Sequence, residues 1–176
     1  MDEPLRLTKA DILRLLRLLN AELATGEVHG EMYLVGGAVM CLALDARAAT
    51  RDVAAFFKPT RLVREAAARV AAQAAVPDTW LNDAVTSLLS QRGEFDPYVE
   101  LSHLQVFVAQ PSYLLAMKCA ALRLGEEFHD LDDVRYLLRF LNLTTVADAV
   151  GVVTKYFDDA DLPPKTRLAL EELLAR

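Results

Sequence analysis

The sequence predicts an α+β fold: strands and helices intermixed over residues 1–110, then helices alone over residues 111–176. Three observations carry this. Short apolar runs closed by glycine or proline alternate with helical periodicity in the first part. Pro111 opens a pattern that stays helical to the end. No Gly/Ser-rich linker separates the parts, so they are expected to share a cleft.

Taken in order, Thr8 suits a helix N-cap with Asp11 three positions on, a relative of the capping box. Ile12, Leu15, Leu16, Leu19 and Leu23 then repeat at helical spacing. Met32 to Val35 reads as a buried strand running into Gly36-Gly37, and Ala38 to Leu44 as a short helix leaving the glycines. Val53 to Phe57 reads as a second strand, ended by Pro59. Arg61 to Ala75 is alanine-rich and helical, and Pro77 stops it. Trp80 to Leu89 is expected to be a short helix, and Gly93 to Pro97 a loop. Tyr98–Leu101 and Leu104–Val108 are expected to be strands of a hairpin. The tail is expected to hold four helices: Pro111 to Leu124, Leu131 to Leu141, Thr144 to about Phe157, and one opened by Pro163-Pro164.

Composition narrows the function. Hydrophobic residues make up 53% and charged residues 25% of the chain, which excludes wholesale disorder. No apolar run is long enough to span a bilayer, and Met1 to Arg6, with two acids and a proline, are not expected to form a secretory signal. A net charge of −6 argues against a non-specific nucleic-acid coat. Arg61, Arg64 and Arg69 read as a solvated helix face. Cys41 and Cys119 lie within apolar helical patterns and read as buried thiols of a reducing, cytoplasmic compartment. His29, His103 and His129 match no metal-ligand spacing.

Four features carry chemistry. Gly36-Gly37, between strand and helix, lets a backbone approach a phosphate closely, or simply makes a tight turn. Asp52 opens Asp52-Val53-Ala54, where residues two apart share a strand face. Two carboxylates at that spacing hold a divalent metal against a triphosphate, yet position 54 is alanine, and a lone Asp at a strand start is also an ordinary edge residue. Lys118 interrupts the apolar face Leu114, Leu115, Ala121 and Leu122; it requires an acid, an anionic ligand or a route to water. Asp133 shares a face with Val134, Leu137, Leu138 and Leu141, so Lys118 and Asp133 also suit a buried ion pair between two helices. Asp130 suits a first-turn carboxylate.

These residues resemble a known family. The Gly36-Gly37 turn followed by Thr50-Arg51-Asp52 resembles the minimal nucleotidyltransferase fold of the DNA polymerase β superfamily. Leu34-Val-Gly-Gly-Ala-Val-Met, Trp80-Leu-Asn82-Asp83-Ala, Pro111-Ser-Tyr-Leu-Leu-Ala-Met-Lys118-Cys-Ala-Ala-Leu-Arg123 and His129-Asp130-Leu-Asp-Asp133-Val together resemble the AbiEii-type nucleotidyltransferase-like toxins, including the MenT-like branch. The resemblance covers nearly the whole chain and implies a mixed sheet with helices.

It further implies transfer of a nucleotide from an NTP, with Mg²⁺, to an RNA end, favouring the tRNA 3′ end and so blocking translation, or to a protein hydroxyl as in some relatives. A cognate antitoxin protein is the implied partner. Gly36 and Gly37 would cradle phosphates, Asp52 bind metal, Lys118 bind triphosphate and Asp133 complete the site, with Thr50 and Arg51 flanking it. All are expected to converge on one cleft. The chain departs from the pattern at Ala54, where similar sequences carry a second aspartate; loss of that carboxylate is expected to impair transfer. Glu100 is the nearest candidate for a third carboxylate and reads equally as a solvated strand residue. The alternatives are a small-molecule, antibiotic-type nucleotidyltransferase and a non-catalytic relative that binds a nucleotide or a partner protein.

Overall fold

The structure is a computed structural model that describes residues 5–124 and 130–175. The chain forms two compact units: Met1–Ser87 with Phe95–Ala109, and Leu88–Glu94 with Gln110–Arg176. The described residues are α+β with a mixed sheet.

In the first unit, β1 (Leu7–Thr8) leads into α1 (Lys9–Thr25), then β2 (Gly30–Val35) and α2 (Gly37–Leu42). Next come β3 (Ala49–Thr50), β4 (Val53–Lys58), α3 (Thr60–Ala74), β5 (Leu81–Asn82), β6 (Phe95–Glu100) and β7 (Leu104–Ala109). The main sheet runs β5-β4-β2-β7-β6. β2 is antiparallel to β4 and parallel to β7; β5 is parallel to β4, and β6 is antiparallel to β7.

Period-two burial decides the faces. Met32, Leu34, Val53, Ala55, Phe57, Leu104 and Val106 are buried, as are Ile12, Leu15, Leu16, Leu19 and Leu23 of α1 and Val63, Ala66, Ala67 and Val70 of α3. The alternate positions, Tyr33, Phe56, Phe95 and Phe107, are half-buried. They form a row in which Tyr33 stacks on Phe107, with ring centroids 4.9 Å apart. The Thr8–Asp11 capping box is complete: Asp11 N–H donates to Thr8 Oγ1 and Thr8 N–H to Asp11 Oδ2.

Two expectations fail in this unit. Residues 80–89 make strand β5 and a 3₁₀ turn, Ala84–Leu88, instead of a short helix. Val53 N–H donates to Trp80 O, which draws the segment into the sheet, and Asn82, Asp83, Thr86 and Ser87 are poor helix formers. Strand β6 starts at Phe95 and includes Pro97, which the sequence placed in a loop. An edge strand tolerates a proline, and the ladder shifts register between Pro97 and Val99. The small β1–β3 sheet was not legible at all: two residues per strand leave no periodicity. Arg61, Arg64 and Arg69 are a solvated face, each beside an acid: Glu65, Asp83 and Glu22.

The second unit carries α4 (Pro111–Ala120), α5 (Asp130–Phe140), α6 (Val146–Val153) and α7 (Pro164–Leu174). Helix α4 stops four residues before Leu124: Ala121 leaves helical geometry at φ −120°, ψ 32°, and beyond it the Arg123 N–H donates to the Asp130 carboxylate. Segment Leu88–Glu94 belongs here. Ser90 N–H donates to Tyr113 Oη, Ser90 Oγ donates to Tyr156 O, and Tyr156 Oη donates to Glu94. Burial and the Glu94 carboxylate push the Tyr156 hydroxyl up to about 12. Cys41 and Cys119 are both buried free thiols, and burial pushes Cys119 up to about 12. His129, part of one motif quoted above, lies outside the described residues. No helix among the described residues is long and apolar enough to cross a membrane.

Candidate functional site

Gly36, Gly37, Thr50, Asp52 and Ala54 gather at one end of the first unit's sheet. Strand β2 ends at Val35, paired with Ala54 of β4. The chain then turns through Gly36 at φ 69°, ψ −148°, a conformation open essentially to glycine alone. A Cβ on Gly36 would stand 4.0 Å from the Ala54 Cβ, so the side chain at position 54 points at this turn. At Gly37 a Cβ would meet the tip of the Arg47 side chain and lie 2.7 Å from Thr50 Oγ1, so those side chains would have to shift to admit one.

Asp52 is not on the strand, as the sequence reading placed it, but in the turn just before β4, where its side chain is exposed. Its geometry still follows strand logic. Asn82 Nδ2 donates to Asp52 Oδ2 at 2.8 Å, and Asn82 pairs with Ala54 in the β4–β5 register. Asp52 therefore reaches the residue opposite Ala54. Thr50 Oγ1 donates to the Asp52 carbonyl at 3.4 Å, at the long end of hydrogen bonding. Arg51, between them, is exposed. In α2, burial pushes the Cys41 thiol up against the opposing positive charges of Arg47 and Lys9.

Glu100 does not join this group. It pairs with Gln105, which pairs with Glu31 near the start of β2, so it lies at the sheet's opposite end from Gly36. There, Glu31, Lys58, Glu100, His103 and Gln105 line a groove of about 470 Å³. His29 and His103 stack beside it with centroids 4.5 Å apart.

Lys118 and Asp133 come together in the second unit, with a third member. Lys118 Nζ lies 3.0 Å from Asp130 Oδ1 and 3.0 Å from Asp133 Oδ2, and its side chain is 11% exposed. Arg123 adds Nε and Nη2 bonds to Asp130 at 3.0 and 3.1 Å. Burial pushes the Asp130 carboxyl up, but the Arg123 hydrogen bonds and the Lys118 charge outweigh it and hold the group down at about 2. This is the ion-pair arrangement anticipated for an apolar-face lysine, with Asp130 as its second acid.

The sequence reading did not single out Arg47 and Asn82 as site residues. Asn82 lay inside a motif quoted for its resemblance, which was the available signal. Arg47 carried none, because its contact with Gly37 depends on how the intervening loop folds back.

No family model, curated protein or solved structure matches the chain.

Proposed function

We propose that this chain is a nucleotidyltransferase of the toxin type, acting on an RNA end, with the tRNA 3′ end as the favoured acceptor, and weakened in transfer by Ala54. The observation that carries the proposal is the Asp52 carboxylate. It is held by Asn82 at the same sheet end as the glycine turn through Gly36, whose Cβ position is open. In the transfer, an acceptor hydroxyl oxygen bonds to the α-phosphorus of the NTP. The bond to the β-phosphate oxygen breaks, pyrophosphate leaves, and the hydroxyl proton passes to solvent or a base. Gly36 and Gly37 let phosphate oxygens approach the backbone, Asp52 orients the substrate, and Thr50 and Arg51 border it.

The described residues do not fit a resident two-carboxylate Mg²⁺ centre. Asp52 stands with Ala54, and among the described residues no group of three or more His, Cys, Asp or Glu side chains could hold a metal ion. Mg²⁺ therefore enters this proposal as part of the Mg–NTP substrate. The resemblance gives Lys118 a triphosphate-binding role and Asp133 a site-completing role, and it alone carries them. A cognate antitoxin protein and a cytoplasmic location belong to the same proposal.

Ala54 favours a second reading, a non-catalytic relative that keeps nucleotide binding. The test incubates the chain and Ala54→Asp with each labelled NTP, offering total RNA, tRNA, or a cell-free protein mixture as acceptor. Label on tRNA from Ala54→Asp, far above that from the parent, supports the proposal. Binding of NTP with no transfer by either version supports the second reading. Label on neither, with no NTP binding, overturns both.

A further inference from the structure

We infer that Arg64 of α3 is a positioning residue for Asp52, acting through Asp83 and Asn82, a role that rests on the nucleotide reading above. Asn82 lies in β5, an edge strand only two residues long, Leu81–Asn82. Two pairings with β4 do little to fix the direction of a side-chain amide. The residues on either side of β5 are tied to one turn of α3. Before the strand, the fully buried Trp80 donates its Nε1–H to the Ala67 carbonyl at 3.0 Å, and its own carbonyl accepts the Val53 N–H at 2.6 Å. After the strand, Asp83 Oδ2 accepts from Arg64 Nη2 at 2.5 Å. Arg64 and Ala67 are i and i+3 on α3, neighbours on one helix face.

Trp80 fixes where β5 begins, and Arg64 fixes where it ends. Past Asp83 the chain enters the 3₁₀ turn Ala84–Leu88, which has no buried residue. The Arg64–Asp83 pair therefore holds β5 at the border of a stretch without a buried anchor. From that tethered end, Asn82 Nδ2 reaches Asp52 Oδ2 at 2.8 Å. The Arg64 side chain is 59% exposed and that of Asp83 31%, so the pair adds little to global stability. Local order is a different quantity, because a short edge strand opens without unfolding the core. The pair thus has more leverage on the Asn82 amide than on the melting temperature. The alternative is an ordinary solvated ion pair, which leaves the amide where it is.

Two readouts separate these. One is the side-chain amide NMR signal of Asn82, assigned by its loss in Asn82→Ala; the other is calorimetric titration with each Mg–NTP. Arg64→Ala and Asp83→Ala are both expected to move the Asn82 signal toward its position in Asp52→Ala. Both should lower Mg–NTP affinity by about threefold or more, with the melting temperature nearly unchanged. Arg64→Asp combined with Asp83→Arg keeps the two charges and the summed side-chain length, and should restore both readouts. In the Asn82→Ala background, Arg64→Ala should cost nothing further. A loss that persists there, or that Arg61→Ala on the same helix equals, is a lost cation acting at a distance and overturns the inference. A moved signal with unchanged affinity confines the tie to structure and also overturns it. If the parent binds Mg–NTP and Arg64→Ala moves neither readout, this inference alone falls. If the parent binds no Mg–NTP, the nucleotide reading falls and takes this inference with it.

Discussion

Asn82 donates its side-chain amide to Asp52 Oδ2 across 2.8 Å, and the strand register sets Asn82 opposite Ala54. One edge-strand residue thus touches Asp52 and faces Ala54, the position where the resembling family carries a second acid. An exposed carboxylate before a strand has many orientations in water, and the amide selects one.

Asn82→Ala should therefore separate stability from function. The hydrogen bond is exposed, so its loss should cost under about 1 kcal/mol of stability. Freed to reorient, Asp52 should lower Mg–NTP affinity by about tenfold, near 1.4 kcal/mol. Thermal unfolding and calorimetric titration check the two halves. Unchanged nucleotide affinity beside a normal melting temperature would remove Asp52 from the proposed site.

Lys118→Met should destabilise the chain. The ammonium bridges two buried carboxylates, Asp130 and Asp133. Its removal leaves Asp130 with Arg123 but takes one cation from both acids, and breaking one partner of a buried pair typically costs about 3–5 kcal/mol. Lys118→Met with Asp133→Asn should recover part of that loss, since one charge on each side is then gone. Chemical denaturation of both variants at pH 7 is the measurement. A Lys118→Met protein as stable as the parent would show that the network contributes nothing.

Asp130 gives the chain an acid limit. Its carboxyl titrates at about 2 in the folded protein against an ordinary 3.8. A lowered folded value means stability that is present above the unfolded pKa and lost as pH falls through the folded one. The difference is worth roughly 2 kcal/mol at about 1.36 kcal/mol per pH unit. Urea midpoints should hold near pH 5 and fall between about pH 4 and pH 2. In Asp130→Asn this step should flatten, while stability at pH 7 should be lower because Lys118 and Arg123 lose their shared acceptor.

How much of this was legible in the sequence depends on range. Helix α1 shows through Ile12, Leu15, Leu16, Leu19 and Leu23 because its burial is periodic. The Lys118–Asp133 encounter shows because each charge sits on an otherwise apolar helix face. Asp130 was visible only as a helix-start acid, since its second role depends on the path from α4 to α5. Strand β5 and Pro97 were misread because sheet-edge pairing overrode local propensity. Arg47 against Gly37 was beyond reach: nothing local marks an arginine that folds back over a glycine.

Thr8→Ala tests the N-terminal device. Thr8 caps α1 through the Asp11 box and pairs with Ala49 in the strand beside Thr50. Loss of the cap should cost about 1 kcal/mol, or about 2–4 °C in melting temperature for a chain this size. Thr8→Ser keeps the side-chain acceptor and should stay near the parent. Equal losses in both variants would assign the effect to the strand, not the cap.

The strongest test of the functional reading is Ala54→Asp. The side chain at position 54 points at Gly36, and Asn82 across the register already holds Asp52, so the new carboxylate would join the same turn. Two carboxylates there repel, so the variant should melt below the parent in metal-free buffer. Mg²⁺ binds oxygen ligands and favours the folded state in proportion to its occupancy. Millimolar Mg²⁺ should therefore raise the melting temperature of Ala54→Asp while leaving the parent nearly unmoved. Transfer should follow: a gain of about 10²-fold or more over the parent corresponds to roughly 3 kcal/mol of added transition-state stabilisation. The two readouts guard each other. A Mg²⁺-dependent melting shift without transfer means that position 54 meets metal but the chain lacks another catalytic part, which favours the nucleotide-binding relative. No melting shift and equal transfer by both versions means that position 54 lies off the path of the substrate metal, and the alignment of this strand with the resembling family is wrong.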